Sequence, residues 1–267
     1  MIHAIVSGAA GRMGCRIIHM LEWVEGIVLA GALEKPDHPA VGKDVGEVVG
    51  LPAKGLKVAG SLAEVLPKGQ VLIEFTHPEP SLAHLKEVAA AGKAMVLGTT
   101  GFSPAQIAEI QALAARTRLV FAPNMSVGVN LMFKVVADIA QVLKDGYDVE
   151  IVEAHHRLKK DAPSGTAIKL AQVIAHALGR DLEQVGVYER KGIIGERTRE
   201  EIGVQTVRAG DIVGEHTVIF GGMGERLEII HRAHSRDNFA RGAVRAALWV
   251  VPQTPGLYDM QDVLGLK

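Results

Sequence analysis

Short apolar runs alternate with helical periods through the first 126 residues. The runs show no polar alternation, which is typical of strands buried on both faces of a parallel sheet. Between them, apolar residues recur at spacings of three and four, which predicts amphipathic helices. The predicted strands cover residues 3–7, 28–33, 71–75, 94–97 and 119–121, and the predicted helices follow residue 14 and cover 81–91 and 104–115. Repeated βα winding of this kind predicts a Rossmann-type, doubly wound α/β domain with a parallel sheet.

The pattern changes after residue 126. A helical period covers about 127–143, a strand runs into His155, and a helix follows Ser164. Further strands are predicted at 187–190, 203–208, 216–220 and 227–231, and a glycine-rich turn at 221–224 is expected to close a hairpin. Strands that cluster in this way predict a second, α+β domain with a mixed sheet. A last helical period covers 238–251, and the sequence does not identify where it docks.

Composition narrows the class of protein. The 267 residues carry a formal net charge of -1, which argues against a general nucleic-acid binder. Hydrophobic residues make up 48% of the chain and aromatic residues 4%, as in an aliphatic core of buried parallel strands. Cys15 is the only cysteine, so we expect no disulfide and a reducing compartment. No signal peptide and no bilayer-spanning segment is apparent, and we therefore expect a cytoplasmic protein that does not bind membranes.

The first predicted strand runs into a glycine turn. Gly8, Gly11 and Gly14 give a G-x-x-G-x-x-G spacing, one residue longer in the turn than the commoner dinucleotide fingerprint. Such a turn lets the backbone approach a pyrophosphate at the start of the next helix. Glu34 ends the second strand, at the place where an acidic residue binds the adenine ribose. Because Lys35 adds a cation beside it, we predict that NADH and NADPH are both accepted.

Three later strands end in polar or glycine-rich loops, at residues 76–78, 98–101 and 122–125. Open α/β sheets bind their ligands beyond the carboxyl ends of the strands. The nicotinamide end of the cofactor is therefore expected against these loops.

A basic segment in the second half predicts a site for an anionic substrate. Ser164 is placed to cap a helix, and Gly165 and Thr166 would then begin it. The start of a helix binds anions through backbone N–H groups and the helix dipole. A substrate carboxylate held there would have Lys159 or Lys160 alongside.

Two adjacent histidines lie at the start of this segment. His155 and His156 have the side chain best suited to exchange protons at neutral pH. In a regular strand they would point to opposite faces, so both can serve one ligand only if the strand ends or bends there. We expect no metal site. His231 and His234 lie three positions apart on a predicted strand and would face opposite sides of it, and no H-E-x-x-H motif or cysteine cluster occurs. Arg236 is either a substrate cation or a surface charge.

Taken together, these motifs closely resemble the dihydrodipicolinate reductase family over essentially the full chain. They are residues 8–14 (Gly-Ala-Ala-Gly-Arg-Met-Gly), 98–102 (Gly-Thr-Thr-Gly-Phe), 124–130 (Asn-Met-Ser-Val-Gly-Val-Asn), 153–156 (Glu-Ala-His-His), Lys159, 161–167 (Asp-Ala-Pro-Ser-Gly-Thr-Ala) and 208–216 (Arg-Ala-Gly-Asp-Ile-Val-Gly-Glu-His). The resemblance implies NAD(P)H-dependent reduction of 4-hydroxy-tetrahydrodipicolinate, a small dicarboxylate, in lysine and diaminopimelate biosynthesis.

The resemblance also implies roles for individual residues. His155 would donate or accept a proton and Lys159 donate one, while His156 and the backbone of Gly165 and Thr166 hold the substrate carboxylates. The cofactor positions would be Gly8, Ala9, Ala10, Gly11, Arg12, Met13, Glu34, Gly98, Thr99, Thr100, Ala122, Pro123, Asn124 and Met125. Lys35 stands where some members carry arginine, and a lysine offers a 2′-phosphate a point charge in place of a bidentate fork.

The family further implies a division into domains and an assembly. Residues 1–126, completed by 239–267, would bind the dinucleotide, and residues 127–238 would bind the substrate and form a homotetramer through their sheet. Two alternatives stay open at this point: another amino-acid-pathway reductase of the aspartate or homoserine dehydrogenase type, and a nicotinamide-nucleotide-binding regulator without turnover.

Overall fold

The computed structural model describes Met1–Lys267. The chain forms two compact units, of which unit 1 comprises Met1–Val127 with Arg236–Lys267, and unit 2 comprises Gly128–Ser235. The elements in chain order are β1 (Ile2–Ser7), α1 (Arg12–Leu21), β2 (Ile27–Leu33), α2 (Val45–Val49), α3 (Leu62–Val65), a 3-10 turn (Leu66–Lys68), β3 (Val71–Glu74), α4 (Pro78–Ala90), β4 (Ala94–Leu97), α5 (Pro104–Ala114), β5 (Arg118–Phe121), α6 (Val127–Leu143), a 3-10 turn (Lys144–Gly146), β6 (Asp148–His155), α7 (Gly165–Ala177), α8 (Leu182–Val185), β7 (Gly186–Val187), β8 (Ile202–Arg208), β9 (Gly214–Gly222), β10 (Glu225–Ala233), α9 (Asp237–Val250), β11 (Gly256–Tyr258) and α10 (Met260–Leu264).

Unit 1 contains a six-stranded sheet in the order β11-β5-β4-β3-β1-β2, in which every pair of neighbours is parallel. The chain winds outward from β1 in both directions, first to β2 and then to β3. This reversal is the topological switch point of a doubly wound sheet, where such folds open a crevice for a ligand. The predicted Rossmann-type α/β fold is confirmed, while the short edge strand β11 was not predicted.

Alternating side chains of this sheet enter two separate cores. Ala4 and Val6 of β1 pack into a core that also contains residues of α1 and α9, whereas Ile5 packs into the core beneath α4 and α5. Alternation of this kind follows from the period of two along a strand. Helix α9 therefore docks within unit 1, and a bidentate ion pair between Arg16 of α1 and Asp237 joins the two helices at the surface.

Unit 2 contains a mixed sheet in the order β10-β9-β6-β8-β7. Strand β9 is antiparallel to both of its neighbours, and β6, β8 and β7 run parallel to one another. Helices α6 and α7 pack on one face against Val149, Ile151, Val218 and Phe220. The predicted α+β unit with a mixed sheet is confirmed, and the hairpin predicted at 221–224 joins β9 to β10.

The strand predicted at 187–190 was wrong beyond its first residue. Strand β7 pairs with β8 only through Gly186 and Val187. Past that point Arg190 donates to both carboxylate oxygens of Glu150, at 2.8 and 2.9 Å. The Glu150 carboxylate lies across Gly203, where a Cβ would meet its Oε2 at 1.9 Å. Beyond Val187 the chain no longer pairs with β8, and Arg190 instead forms an ion pair with Glu150. A local pattern of apolar residues does not reveal a contact of this kind.

Candidate active site

The two histidines are separated by the end of a strand. Strand β6 ends at His155, so His156 lies outside the ladder. Because the strand ends here, His155 and His156 are not required to point to opposite faces of the sheet. Glu153, two residues before His155, points to the same face of the sheet. The basic segment that is predicted to bind an anionic substrate begins where β6 leaves the core of unit 2.

Glu153 is a fully buried carboxylate at this strand end. Its Oε2 is 2.6 Å from His155 Nδ1 and accepts from an Arg208 Nη at 2.8 Å. Its Oε1 accepts from the Ser164 backbone N–H at 2.9 Å, from the other Arg208 Nη at 2.9 Å and from the Thr206 hydroxyl at 3.3 Å. Burial alone would raise the pKa of Glu153, but the donors lower that pKa to about 2. The carboxylate stays ionised throughout the neutral range.

Arg208 supplies the opposite charge. It lies directly beside His155 in the pairing of β8 with β6, and its guanidinium grips Glu153 in a bidentate fork. The hydrogen bond to Glu153 raises the pKa of Arg208. One of its Nη atoms also donates to the Asp161 carbonyl at 2.6 Å. Arg208 therefore links the strand end to the segment that leads into α7.

His216 of β9 is buried against His155. The two rings meet edge to face with centroids 5.3 Å apart. Burial, followed by the nearby His155, lowers the pKa of His216 to about 3, so the ring is neutral at physiological pH. Its Nε2 lies 3.1 Å from the Ser164 hydroxyl. His216 thus packs as an uncharged ring against His155.

Helix α7 begins as predicted. Ser164 is its N-cap and accepts from the Ala167 N–H at 3.2 Å, while Gly165 and Thr166 are its first two residues. A Cβ built on Gly165 meets no atom within 4 Å, so there is open space beside the helix start. The positive end of the α7 dipole and this space make the helix start suitable for an anion.

Lys159 lies in the turn that joins the histidines to α7. Its backbone N–H donates to the His156 carbonyl at 3.0 Å, and its Nζ lies 2.9 Å from the exposed carboxylate of Asp161. The Lys159 side chain is only 21% exposed, whereas Lys160 is exposed. His156 is half-buried, and its Nδ1 has no hydrogen-bond partner. Of the two lysines that could accompany a substrate carboxylate, Lys159 is the one held within the segment.

The glycine turn of unit 1 has the tight geometry that a dinucleotide cradle needs. Gly8 has a φ of +65°, which favours glycine, and a Cβ on Gly14 would lie 2.0 Å from the Gly8 carbonyl oxygen. The Ala10 N–H donates to Glu34 Oε1 at 3.0 Å, which ties the turn to the end of β2. A side chain at position 14 would displace the turn from the start of α1, where a pyrophosphate would bind.

A cavity of about 590 Å³ opens at this turn. It lies at the switch point, since both Gly8, after β1, and Thr76, after β3, line it. The predicted cofactor residues that line this cavity are Gly8, Gly11, Arg12, Met13, Glu34 and Lys35. Lys35 is exposed and its ammonium pairs with the exposed Asp37 at 3.3 Å, a weak surface contact that a charged ligand could replace. The glycines, helix start and acid at this cavity fit a bound dinucleotide.

The remaining predicted cofactor residues do not line this cavity. Ala9, Gly98, Thr99, Ala122 and Met125 are buried, Ala10 and Asn124 are half-buried, and Thr100 and Pro123 are exposed. A Cβ on Gly98 would meet the Phe75 ring at 2.1 Å, so this glycine serves close packing of two strand ends. The Thr99 hydroxyl accepts from the Thr76 N–H at 3.0 Å. The Thr99 side chain therefore links the segment after β4 to the segment after β3.

Several residues at the two sites were not among the predicted site residues. His77 and His84 line the cavity of unit 1, and His84 Nδ1 is 2.7 Å from the buried carboxylate of Glu74. In unit 2 the unpredicted members are Glu153, Arg208 and His216. An acidic residue inside an apolar strand, as at Glu74 and Glu153, is the signal that could have revealed them, because such a group must be paired.

Arg236 is not among the residues that line the cavity of unit 1. Arg236 is the N-cap residue of α9 in unit 1. No group of three or more His, Cys, Asp or Glu side chains is placed to hold a metal ion. None of the helices combines the length and apolarity that a membrane span requires.

The doubly wound sheet with its glycine cradle is typical of proteins that bind a dinucleotide such as a nicotinamide cofactor. Two family models cover nearly all of the chain: dihydrodipicolinate reductase, N-terminus, matches residues 2–125, and dihydrodipicolinate reductase, C-terminus, matches residues 128–264. The chain therefore belongs to the dihydrodipicolinate reductase family, and the predicted resemblance is confirmed.

Individual relatives agree with the family models. A 4-hydroxy-tetrahydrodipicolinate reductase from Syntrophus aciditrophicus (strain SB) is 59% identical, and one from Syntrophobacter fumaroxidans (strain DSM 10017 / MPOB) is 60% identical, each over 267 residues and all of both chains. The chain is also similar to the structure of a dipicolinate-bound dihydrodipicolinate reductase from Paenisporosarcina sp. TG-14. That match has 27% identity, a TM-score of 0.75 and 98% coverage of both chains. These findings do not favour a regulator or a reductase of another family.

Proposed function

We propose that the chain reduces 4-hydroxy-tetrahydrodipicolinate to tetrahydrodipicolinate in lysine and diaminopimelate biosynthesis. Family membership supports the reaction, and so do relatives at 59 and 60% identity that carry the name of this enzyme. The observation that carries the proposal within the structure is the convergence of His155, Lys159 and the start of α7 in one short segment of unit 2. This set of groups suits a dicarboxylate that must gain a proton.

We place the cofactor in unit 1. Gly8, Gly11 and the start of α1 would hold the pyrophosphate, and Glu34 would hold the adenine ribose. The loops at residues 98–100 and 122–125 would form the nicotinamide end. When bound, the reduced nicotinamide supplies a hydride.

We place the substrate in unit 2. Gly165, Thr166 and His156 would hold its carboxylates, because the helix start offers N–H groups and a positive dipole end. Loss of the 4-hydroxyl together with a ring proton, as water, gives a conjugated ring that accepts a hydride at C4. Lys159 Nζ, or His155 Nε2 once the ring has taken a second proton from solvent, would then protonate the enamine carbon that results. His155 Nε2 is suited to this exchange, since its Nδ1 is engaged by Glu153.

We infer that NADH and NADPH are both accepted. Glu34 would accept hydrogen bonds from the ribose hydroxyls of NADH, and the exposed ammonium of Lys35 would attract the 2′-phosphate of NADPH. Because lysine binds phosphate as a point charge, the preference for NADPH should be modest.

We further propose a cytoplasmic homotetramer that assembles through the sheet of unit 2. The face of this sheet opposite α6 and α7 exposes Val207 at 44% and Ile230 at 43%, with Val152 and Ile219 half-buried beside them. Apolar side chains grouped on an uncovered sheet face are typical of an interface between subunits.

The reaction is tested by the absorbance at 340 nm when the purified protein is mixed with NADH or NADPH and the freshly formed product of dihydrodipicolinate synthase. The proposal predicts oxidation of both cofactors that depends on substrate. Omission of the synthase product is the control. Cofactor binding without turnover would overturn the proposal and favour a regulator.

A further inference from the structure

We propose that Glu153 is a positioning residue that fixes the tautomer of His155 and ties this histidine to the start of α7. The inference rests on the proposed proton-transfer role of His155. It concerns a residue that touches neither the cofactor nor the substrate and acts through its neighbours.

The charge of Glu153 fixes the direction of its hydrogen bond to His155. Glu153 keeps its carboxylate ionised at neutral pH and can only accept, so His155 Nδ1 must carry the proton in this 2.6 Å contact. In the neutral ring the lone pair then lies on Nε2. A Cβ on Gly214 of β9 would lie 3.0 Å from Nε2, so a side chain there would crowd the atom that exchanges protons.

Glu153 also connects His155 to the start of helix α7. The carboxylate that orients His155 also accepts from the Ser164 N–H at 2.9 Å. Ser164 caps α7 and directly precedes Gly165 and Thr166, which we place against the substrate carboxylates. One rigid group therefore sets the spacing between the proton-transfer atom and the anion site.

Burial of the Glu153 carboxylate has an electrostatic cost, which a nearby positive charge must offset. Its exposed fraction is 0%, and an isolated buried charge would be neutralised or excluded. The bidentate contacts of Arg208 at 2.8 and 2.9 Å balance it. Glu153 is thus held in its charged form without the substrate, which makes the tautomer of His155 a property of the resting protein.

Replacement of Glu153 by glutamine makes a specific prediction. A carboxamide offers one acceptor and one donor in place of two acceptors. The Oε1 side faces three donors, from Ser164, Arg208 and Thr206, whereas the Oε2 side faces two. The amide oxygen should therefore take the Oε1 side, and its NH2 group should face His155 Nδ1. His155 must then accept at Nδ1 and carry its proton on Nε2, and with Nδ1 occupied by this donor the ring cannot readily take the second proton that would make it an acid at Nε2.

The test combines a spectroscopic and a kinetic readout. 15N NMR of histidine-labelled protein at alkaline pH, assigned by comparison with His155→Gln, should show the Nδ1–H tautomer of His155 in the wild type and the Nε2–H tautomer in Glu153→Gln. The turnover number of Glu153→Gln should fall about 10- to 100-fold. Its substrate KM should stay within about threefold, because the bond to Ser164 is kept.

Glu150→Gln is the matched control. Glu150 lies on the same strand and forms a bidentate pair with Arg190, but it does not touch a histidine. This variant should keep the Nδ1–H tautomer and a turnover number within about twofold of wild type. Thermal unfolding of both variants shows whether each is folded.

Two results would overturn the proposal. One is an Nε2–H tautomer in the wild type, a result that does not depend on whether Glu153→Gln folds. The other is a folded Glu153→Gln that keeps Nδ1–H and normal turnover. Failure of the proposed function looks different: the wild type would not oxidise NADH or NADPH with substrate, while the tautomer could still be measured.

Discussion

The buried histidine His216 should make unit 2 less stable in mild acid. We predict that His216→Gln, which keeps a neutral polar group near Ser164, removes part of the pH dependence of unfolding. The pKa of His216 is lowered from 6.5 to about 3 in the folded protein, chiefly by burial. The unfolded chain therefore binds this proton more readily, and the contribution of the neutral ring to stability is fully present above pH 6.5 and is lost as pH falls toward 3.

The magnitude at pH 5 follows from the shift. About 1.5 pH units separate pH 5 from the unfolded pKa, which corresponds to about 2 kcal/mol of unfolding free energy lost relative to neutral pH. Glu153 acts in the same direction, but its pKa is lowered from 4.5 to about 2, so its contribution is lost mainly below pH 4.5. The interval from pH 7 to 5 therefore separates His216 from Glu153, and His231, whose pKa burial also lowers, is present in both wild type and His216→Gln.

Urea unfolding followed by far-UV circular dichroism at pH 5, 6 and 7 measures the effect. Wild type should lose about 2 kcal/mol more than His216→Gln between pH 7 and 5, since the other histidines contribute equally to both proteins. His176→Gln replaces an exposed histidine on α7 and should keep the wild-type dependence. Equal pH dependence in wild type and His216→Gln would refute the reasoning.

Three further predictions concern the cofactor site and the proposed assembly. Lys35→Ala should raise the KM for NADPH about fivefold and leave that for NADH within about twofold, since only NADPH has a phosphate near this exposed cation. Gly14→Ala should weaken NADH binding about tenfold or more in a fluorescence titration, because its Cβ would lie 2.0 Å from the Gly8 oxygen, whereas Gly146→Ala has open space and should not. Ile230→Asp should shift the mass measured by light scattering toward smaller species, while Val142→Asp, at an exposed helix position, should leave it unchanged; an unchanged mass for Ile230→Asp would contradict the assembly.

Local sequence signals predicted the fold around the glycine turn of unit 1 well, because strand, glycine turn and helix follow one another along the chain. The turn between β1 and α1 needs a positive φ at Gly8 and close approach at Gly14, and the glycine spacing reports both requirements. The helix start at Ser164 was predictable for the same reason, since its cap and first turn lie within four residues.

The partners of Glu153 in unit 2 could not be predicted from the local sequence pattern. Glu153 and Arg208 lie 55 positions apart, and they meet only because β6 and β8 pair in a register that sets Arg208 beside His155. His216 reaches the site from β9 by an antiparallel pairing on the other side of β6. Strand register depends on the packing of the whole sheet, so these contacts become visible only in the folded protein.

The turnover number of His155→Ala and Lys159→Ala at saturating substrate tests most directly whether residues 155–166 form the substrate half of a hydride-transfer site. Both variants should lose about 100-fold or more, the usual scale for a general acid or base. Lys160→Ala, a neighbouring exposed lysine, should stay within about twofold of wild type. Turnover near the wild-type value in both His155→Ala and Lys159→Ala would contradict the account.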